Sequence, residues 1–257
     1  GTGLVLATAS CSPAIMLAVE RTNMDVALFS LVALAVIVWR TLPSAARVIS
    51  PLLVLLSAVA KIYGMFALPA FLLVRDRTAA RTAMLCICVF AAYVIANASD
   101  LKHIAQIAPQ GVLFSYGARI LPAHLYHQVG ADHWAGPAVV KQVLAAVPLA
   151  LVVGALAVCV RRRYATVAHD PERARGSLLA LHFGTLIYLG TFAVGNNFDY
   201  RLAFLLLTFP QLLEWGGATA HPLSSLASAT LMANIALLWI GSLSGWLSLW
   251  DEIASWI

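Results

Sequence analysis

Three short polar groups break an otherwise apolar sequence, and each carries a cation. Glu20-Arg21-Thr22-Asn23-Met24-Asp25 sets a guanidinium among two carboxylates and two small polar side chains. Lys61-Ile62-Tyr63-Gly64 isolates one lysine within 27 mostly apolar residues, Val48 to Val74. Asn196-Asn197-Phe198-Asp199-Tyr200-Arg201 repeats the Asn-x-Asp spacing of the first group, again with an arginine. Asn23 or Thr22 suits a helix N-cap, where Asp25 in the first turn meets the positive end of the helix dipole. Arg21 and Asp25, four residues apart, have the spacing of a helical ion pair. Two helix starts with an arginine each suit a phosphate, and a lysine adds a point charge. The chemistry these groups favour is the binding of an anionic or polyol ligand. The plainer alternative is two capped helix starts and one internally paired lysine.

Other residues carry weaker signals. The polar stretch 99–137 holds His103, His124, His127 and His133 with Asp132. His124 and His127 are spaced to share a helical face, yet the set lacks the pattern of a zinc motif, and no metal ligand is assigned. A role near an acceptor and plain loop residues are both open readings. His182 falls in an apolar run and reads as a hydrogen-bonded core residue. Cys11, Cys86, Cys88 and Cys159 also lie in apolar runs without a CxxC pair, and read as small core residues. Gly184, Gly190 and Gly195 suit close helix approach. The sequence has no phosphate-loop, dinucleotide-binding or nucleophile-elbow motif.

Composition sets what must position these groups. Of 257 residues, 61% are hydrophobic and 11% charged, against about 25% charged in soluble domains. The mean hydropathy is +0.88. A soluble enzyme, a nucleic-acid-binding domain and a disordered scaffold are thereby excluded. Apolar runs of 14–25 residues point to helical spans, not to the ten-residue alternating strands of a barrel. The 16 Lys and Arg against 11 Asp and Glu then read as basic loops of a membrane protein. The expectation is an all-α, polytopic transmembrane helical bundle forming one domain over residues 1–257. It has about seven spans plus a re-entrant or broken helix pair near Lys61. The spans are expected at 1–18, up to Trp39, and at 82–98, 138–160, 178–195, 202–215 and 223–245. The chain opens at Gly1 inside an apolar run with no charged leader region, which reads as the later part of a longer protein.

The stretch Val48–Val74 decides the topology. As one helix it would be about 40 Å long against a hydrocarbon core of roughly 30 Å. Lys61 would then sit near the bilayer centre, where a lysine costs roughly 2.5–3.5 kcal/mol. Two short helices that turn at Lys61–Gly64 and return to the same side avoid this, provided protein or a watery cavity covers the break. Basic residues divide ten against five between the two faces with a returning pair, and at best nine against six with a single span. The returning pair gathers the Glu20–Asp25 group, the Lys61 turn, the histidine stretch and the Asn196–Arg201 group on the outer face.

Taken in order, these segments resemble a known family. Ser12-Pro13 followed by Leu17-Ala18-Val19-Glu20-Arg21-Thr22-Asn23-Met24-Asp25 is similar to the "SP…LERGN-x-D" stretch of glycosyltransferase family 87, membrane enzymes of the GT-C superfamily. Lys61-Ile62-Tyr63 resembles the family's "K-x-Y-P", and Asp199-Tyr200-Arg201 its "DYR" segment. Thr22 stands where the family usually has Gly, and Gly64 where it has Pro; both still permit a turn. The resemblance covers most of the chain. It implies a GT-C fold and transfer of a sugar, mannose or a similar hexose or pentose, from a polyprenyl-phosphate donor. The acceptor would be a glycan or glycolipid on the outer face of a bacterial cytoplasmic membrane.

The resemblance implies substrate-binding roles for Glu20, Arg21, Asn23, Asp25, Lys61, Tyr63, Asn197, Asp199, Tyr200 and Arg201. Lys61, Arg201 and Arg21 would stabilise the departing lipid phosphate. Asp199, Asn23 and Glu20 would bind sugar hydroxyls or orient the basic residues. The general base, an acidic residue of the first outer loop in such enzymes, would lie upstream of Gly1. No cofactor is implied, and a divalent metal is left open. The same broken helix also supports an alternative, a flippase or secondary transporter of a lipid-linked or anionic substrate, although related halves are missing from the sequence.

Overall fold

The computed structural model describes residues 2–20, 23–42, 44–74, 76–107, 115–116, 171–194, 197–218 and 223–255. Helices dominate them. α1 (Thr2–Ser10) and α2 (Pro13–Glu20) form a pair bent by 48°. The bend falls just before Pro13, whose missing N–H is no loss at a helix start. α3 (Met24–Thr41) packs antiparallel to α4 (Ala46–Ala60), and the buried Ser50 hydroxyl donates to the Ala35 carbonyl at 2.8 Å between them. α4 ends at Lys61, whose backbone is extended (φ −150°, ψ 126°). A 3₁₀ helix (Ile62–Ala67) and the one-turn α5 (Ala70–Leu73) follow. Next come α6 (Arg77–Ala96), α7 (Ala98–Ile107) and β1 (Ser115–Tyr116). α8 (Pro171–Val194) leads to β2 (Asn197–Phe198) and a second 3₁₀ helix (Asp199–Thr208). α9 (Phe209–Gly217) and α10 (Ser224–Ser255) complete the series. The two short strands pair antiparallel, Ser115 opposite Phe198 and Tyr116 opposite Asn197.

Among the described residues, three helices are long and apolar enough to cross a membrane: Met24–Thr41, Arg77–Ala96 and Gly176–Ala193. The bent α1–α2 pair makes a fourth if it counts as one span. Large apolar side chains such as Ile37, Leu85 and Ile95 are exposed along these helices, which suits a lipid-facing flank and suggests a membrane protein. The expected span at 138–160 lies outside the described residues. The expected continuous span at 202–215 is instead a 3₁₀ helix followed by α9. Pro210 explains the change, because inside an unbroken helix it would remove an N–H and clash with the carbonyl four residues back, whereas it is tolerated in the first turn of α9. From Ser224 onward, α10 runs as one helix through the expected stretch 223–245. The start of the expected polar loop, residues 98–107, is helical, with Asp100 favourably placed in its first turn.

Near Lys61 the chain doubles back. Arg47 Nε, at the start of α4, lies 2.9 Å from Asp76 Oδ2, and Asp76 Oδ1 accepts from the Thr78 and Ala79 N–H groups as the N-cap of α6. The segment between Arg47 and Asp76 therefore begins and ends at one level. Its turn lies directly on the last turn of α4. A Cβ on Gly64 would stand 2.5 Å from Ser57 Oγ and 2.7 Å from the Ala58 backbone nitrogen. Gly184 does the same for the second 3₁₀ helix, where a Cβ would come within 2.7 Å of the Phe204 carbonyl oxygen.

Two apolar clusters result. One gathers Val32, Val54, Ala67, Phe71 and Phe183; the other gathers Leu202, Phe209, Leu212 and Leu231. Cys86 is buried as expected, but Cys11, in the turn between α1 and α2, and Cys88, on α6, are exposed, so neither is a core residue; Cys159 lies outside the described residues.

Gly64→Ala should lower unfolding stability in detergent by roughly 1–3 kcal/mol, since backbone atoms cannot move aside for the added methyl. Cysteines introduced at Ser44 and Thr78, in a background freed of native cysteine, should be labelled from the same side of the membrane. Labelling from opposite sides would contradict the returning pair.

Candidate functional site

Asn23 is the N-cap of α3, and its side-chain oxygen accepts the Asp25 N–H at 3.1 Å. The cap turns Asp25 inward, and this carboxylate is 1% exposed. An ionised carboxylate so deep in apolar surroundings needs opposite charge beside it. Two cations supply it. Lys61 Nζ donates to Asp25 Oδ1 at 2.6 Å, and Arg201 Nε lies 3.8 Å from Oδ2. Lys61 also donates to Asn23 Oδ1 at 3.4 Å. Its ammonium has three N–H groups, and Asp25 and Asn23 account for two; its side chain is 31% exposed.

Tyr63 lies beside both cations. Its ring centroid is 5.6 Å from Lys61 Nζ and 5.0 Å from the Arg201 guanidinium carbon, cation–π distances worth about 0.5–2 kcal/mol each. Phe204 meets the same ring edge-to-face at 5.8 Å, and Phe29 continues the stack. The Tyr63 hydroxyl is buried without a hydrogen-bond partner among the described residues. The extended backbone at Lys61 ends α4 and lets Lys61 and Tyr63 share one side of the turn, while Arg201 arrives from the second 3₁₀ helix.

Five of the ten residues expected at the site thus meet: Asn23, Asp25, Lys61, Tyr63 and Arg201. Asn197 lies in β2, and Asp199 and Tyr200 open the 3₁₀ helix just before Arg201. Glu20 ends α2 exposed, without a hydrogen bond or ion pair to a described residue. Arg21 lies outside the described residues. The Arg21–Asp25 pair suggested by spacing therefore also lies outside the described residues; the partners described for Asp25, Lys61 and Arg201, come from distant segments.

His103 is exposed on α7, whereas His124, His127, Asp132 and His133 lie outside the described residues. Among the described residues, no three His, Cys, Asp or Glu side chains converge. His182 departs from its expected role. Its Nδ1 is buried without a hydrogen-bond partner among the described residues, and the side chain borders an apolar cavity of about 170 Å³ with Leu181, Thr185, Leu212 and Trp215. The sequence reading also missed Phe204 and Asp76. Asp76 before Arg77-Thr78-Ala79 carries a recognisable N-cap signal; for Phe204, an apolar residue in an apolar run, there was none.

Comparison with protein-family models, with curated proteins and with solved structures finds no match.

A double-mutant cycle should expose the coupling at Asp25. Asp25→Asn should lower unfolding stability by roughly 2–4 kcal/mol, because it leaves Lys61 and Arg201 together without their shared carboxylate, and Lys61→Met should lower it less, since Arg201 stays beside Asp25. The double variant should lose at least about 1 kcal/mol less than the sum. Strict additivity would mean that the pair is not coupled.

Proposed function

We propose that the chain belongs to a membrane glycosyltransferase that moves a sugar from a polyprenyl-phosphate donor to a glycan or glycolipid acceptor. The likeness to glycosyltransferase family 87 rests on its short motifs alone. The observation that carries the reading is the convergence of Lys61 and Arg201 on one buried carboxylate, at the ends of two interrupted helices.

In such a transfer the acceptor hydroxyl attacks the anomeric carbon, and the bond from that carbon to the phosphate oxygen breaks. Negative charge grows on the departing lipid phosphate, so cations fixed beforehand lower the barrier. Asp25 holds Lys61 in place without consuming all its donors, and the remaining N–H is the group offered to phosphate. Arg201 adds a guanidinium beside the same Tyr63 ring, suited to paired phosphate oxygens. Asn23 and Asp199 are the groups assigned to sugar hydroxyls. The acceptor's proton requires a base, and none is assigned among these residues.

Lys61→Ala should reduce sugar transfer from a polyprenyl-phosphate donor at least about 100-fold, the scale for losing one preorganised charge-stabilising group. Membrane insertion, followed by fractionation, should persist. Full activity in that variant would remove the phosphate role. If wild-type protein in liposomes moves the intact lipid-linked sugar across the bilayer and transfers nothing, the transporter alternative replaces this reading.

A further inference from the structure

At the end of the bundle away from Asp25 the surface changes character. Arg40 in the last turn of α3, Arg47 in the first turn of α4, and Arg77 and Arg81 at the start of α6 are all exposed. Asp76 is the acidic residue among them, and both its oxygens are engaged, one by the α6 cap and the other by Arg47 Nε. That bond steadies the Arg47 guanidinium, half exposed, and leaves its two terminal nitrogens without a partner among the described residues. Arg47 and Arg77 also stand at the positive ends of their helix dipoles, an unfavourable place for cations unless an anion adjoins them.

Further along the same helices, the outward face is apolar. α4 exposes Ile49, Leu52 and Leu56, and α6 exposes Leu85, Val89 and Ile95. From Arg77 to Ile95 the helix rises about 27 Å, close to the hydrocarbon thickness of roughly 30 Å. A cationic end continued by an apolar strip complements one kind of molecule in both charge and shape: a phospholipid with an anionic headgroup, its phosphate at the guanidiniums and its acyl chains along the strip.

We propose that this face binds anionic phospholipids of the adjoining leaflet, with Arg47, Arg77 and Arg81 as the headgroup ligands. The proposal needs the helices to lie in a bilayer and is independent of sugar transfer.

The test uses the full chain in neutral detergent, titrated with phosphatidylglycerol or phosphatidylcholine, with retained lipid counted by native mass spectrometry. Phosphatidylglycerol should be retained at least about fivefold better, the scale of one arginine near an anionic surface. The preference should shrink with added salt. It should also collapse in R77Q/R81Q, which leaves the Arg47–Asp76 pair intact. Equal retention of the two lipids, or an undiminished preference in R77Q/R81Q, overturns the proposal. So does displacement of phosphatidylglycerol by millimolar inorganic phosphate, which would indicate a site for free phosphate. Should R77Q/R81Q not fold, the salt titration of the wild-type chain decides: a salt-insensitive preference overturns the proposal as well.

Discussion

A carboxylate removed from water inside an apolar bundle has to be answered by positive charge, and Asp25 imposes that condition on every element near it. α3 must start with a cap that turns Asp25 inward, and α4 must stop where Lys61 can reach it. The second 3₁₀ helix must bring Arg201 to the other carboxylate oxygen. Each cation arrives at a place where regular helix gives out. Interrupted helices leave backbone groups in need of partners, which within a membrane are found only inside protein or beside a watery cavity. The ion cluster and the breaks therefore belong to the same interior region, and neither is easily accommodated without the other.

The two ends of α4 answer the same physical problem in different ways. At Lys61 the charge is folded inward against Asp25 and shielded by Tyr63, whereas at Arg47 the guanidinium stays half exposed against Asp76. Between them α4 is pinned to α3 by the buried Ser50–Ala35 bond and carries the Gly64 turn on its last turn. One short helix thus separates an enclosed ionic site from an open cationic surface, and the sugar-transfer and lipid-binding proposals draw on opposite ends of it.

Much of this was legible in the sequence because it was local or strongly apolar. Asn23 with Asp25 two residues on reads as a capped helix start, and the structure has that cap. A lysine within 27 mostly apolar residues, three positions before a glycine, reads as a break, and α4 ends there. Grouping the few charges by face was enough to bring Lys61 and Arg201 to the same end as Asp25. Which charge meets which was not legible. Spacing offers Arg21 to Asp25, and it carries no information about Lys61 and Arg201, which arrive from distant segments. Hydropathy likewise registers 202–215 as apolar without saying whether it winds as α or 3₁₀, a choice made by Pro210 and the close seat on Gly184. The β1–β2 pair, two residues long, is too short for alternation to announce it, and His182 looked like any satisfied histidine in a core.

The winding of the second 3₁₀ helix has a mechanical meaning. A 3₁₀ helix advances about 2.0 Å per residue and an α-helix 1.5 Å, and 3₁₀ runs beyond a few residues are uncommon. Over the ten residues from Asp199 to Thr208 the difference amounts to about 5 Å. The far end is tethered, because the Asn234 amide on α10 donates to the Thr208 hydroxyl at 2.9 Å. Wound as 3₁₀, the segment has the extra length to run from that tether to the buried carboxylate, with Arg201 at its near end beside the second oxygen of Asp25.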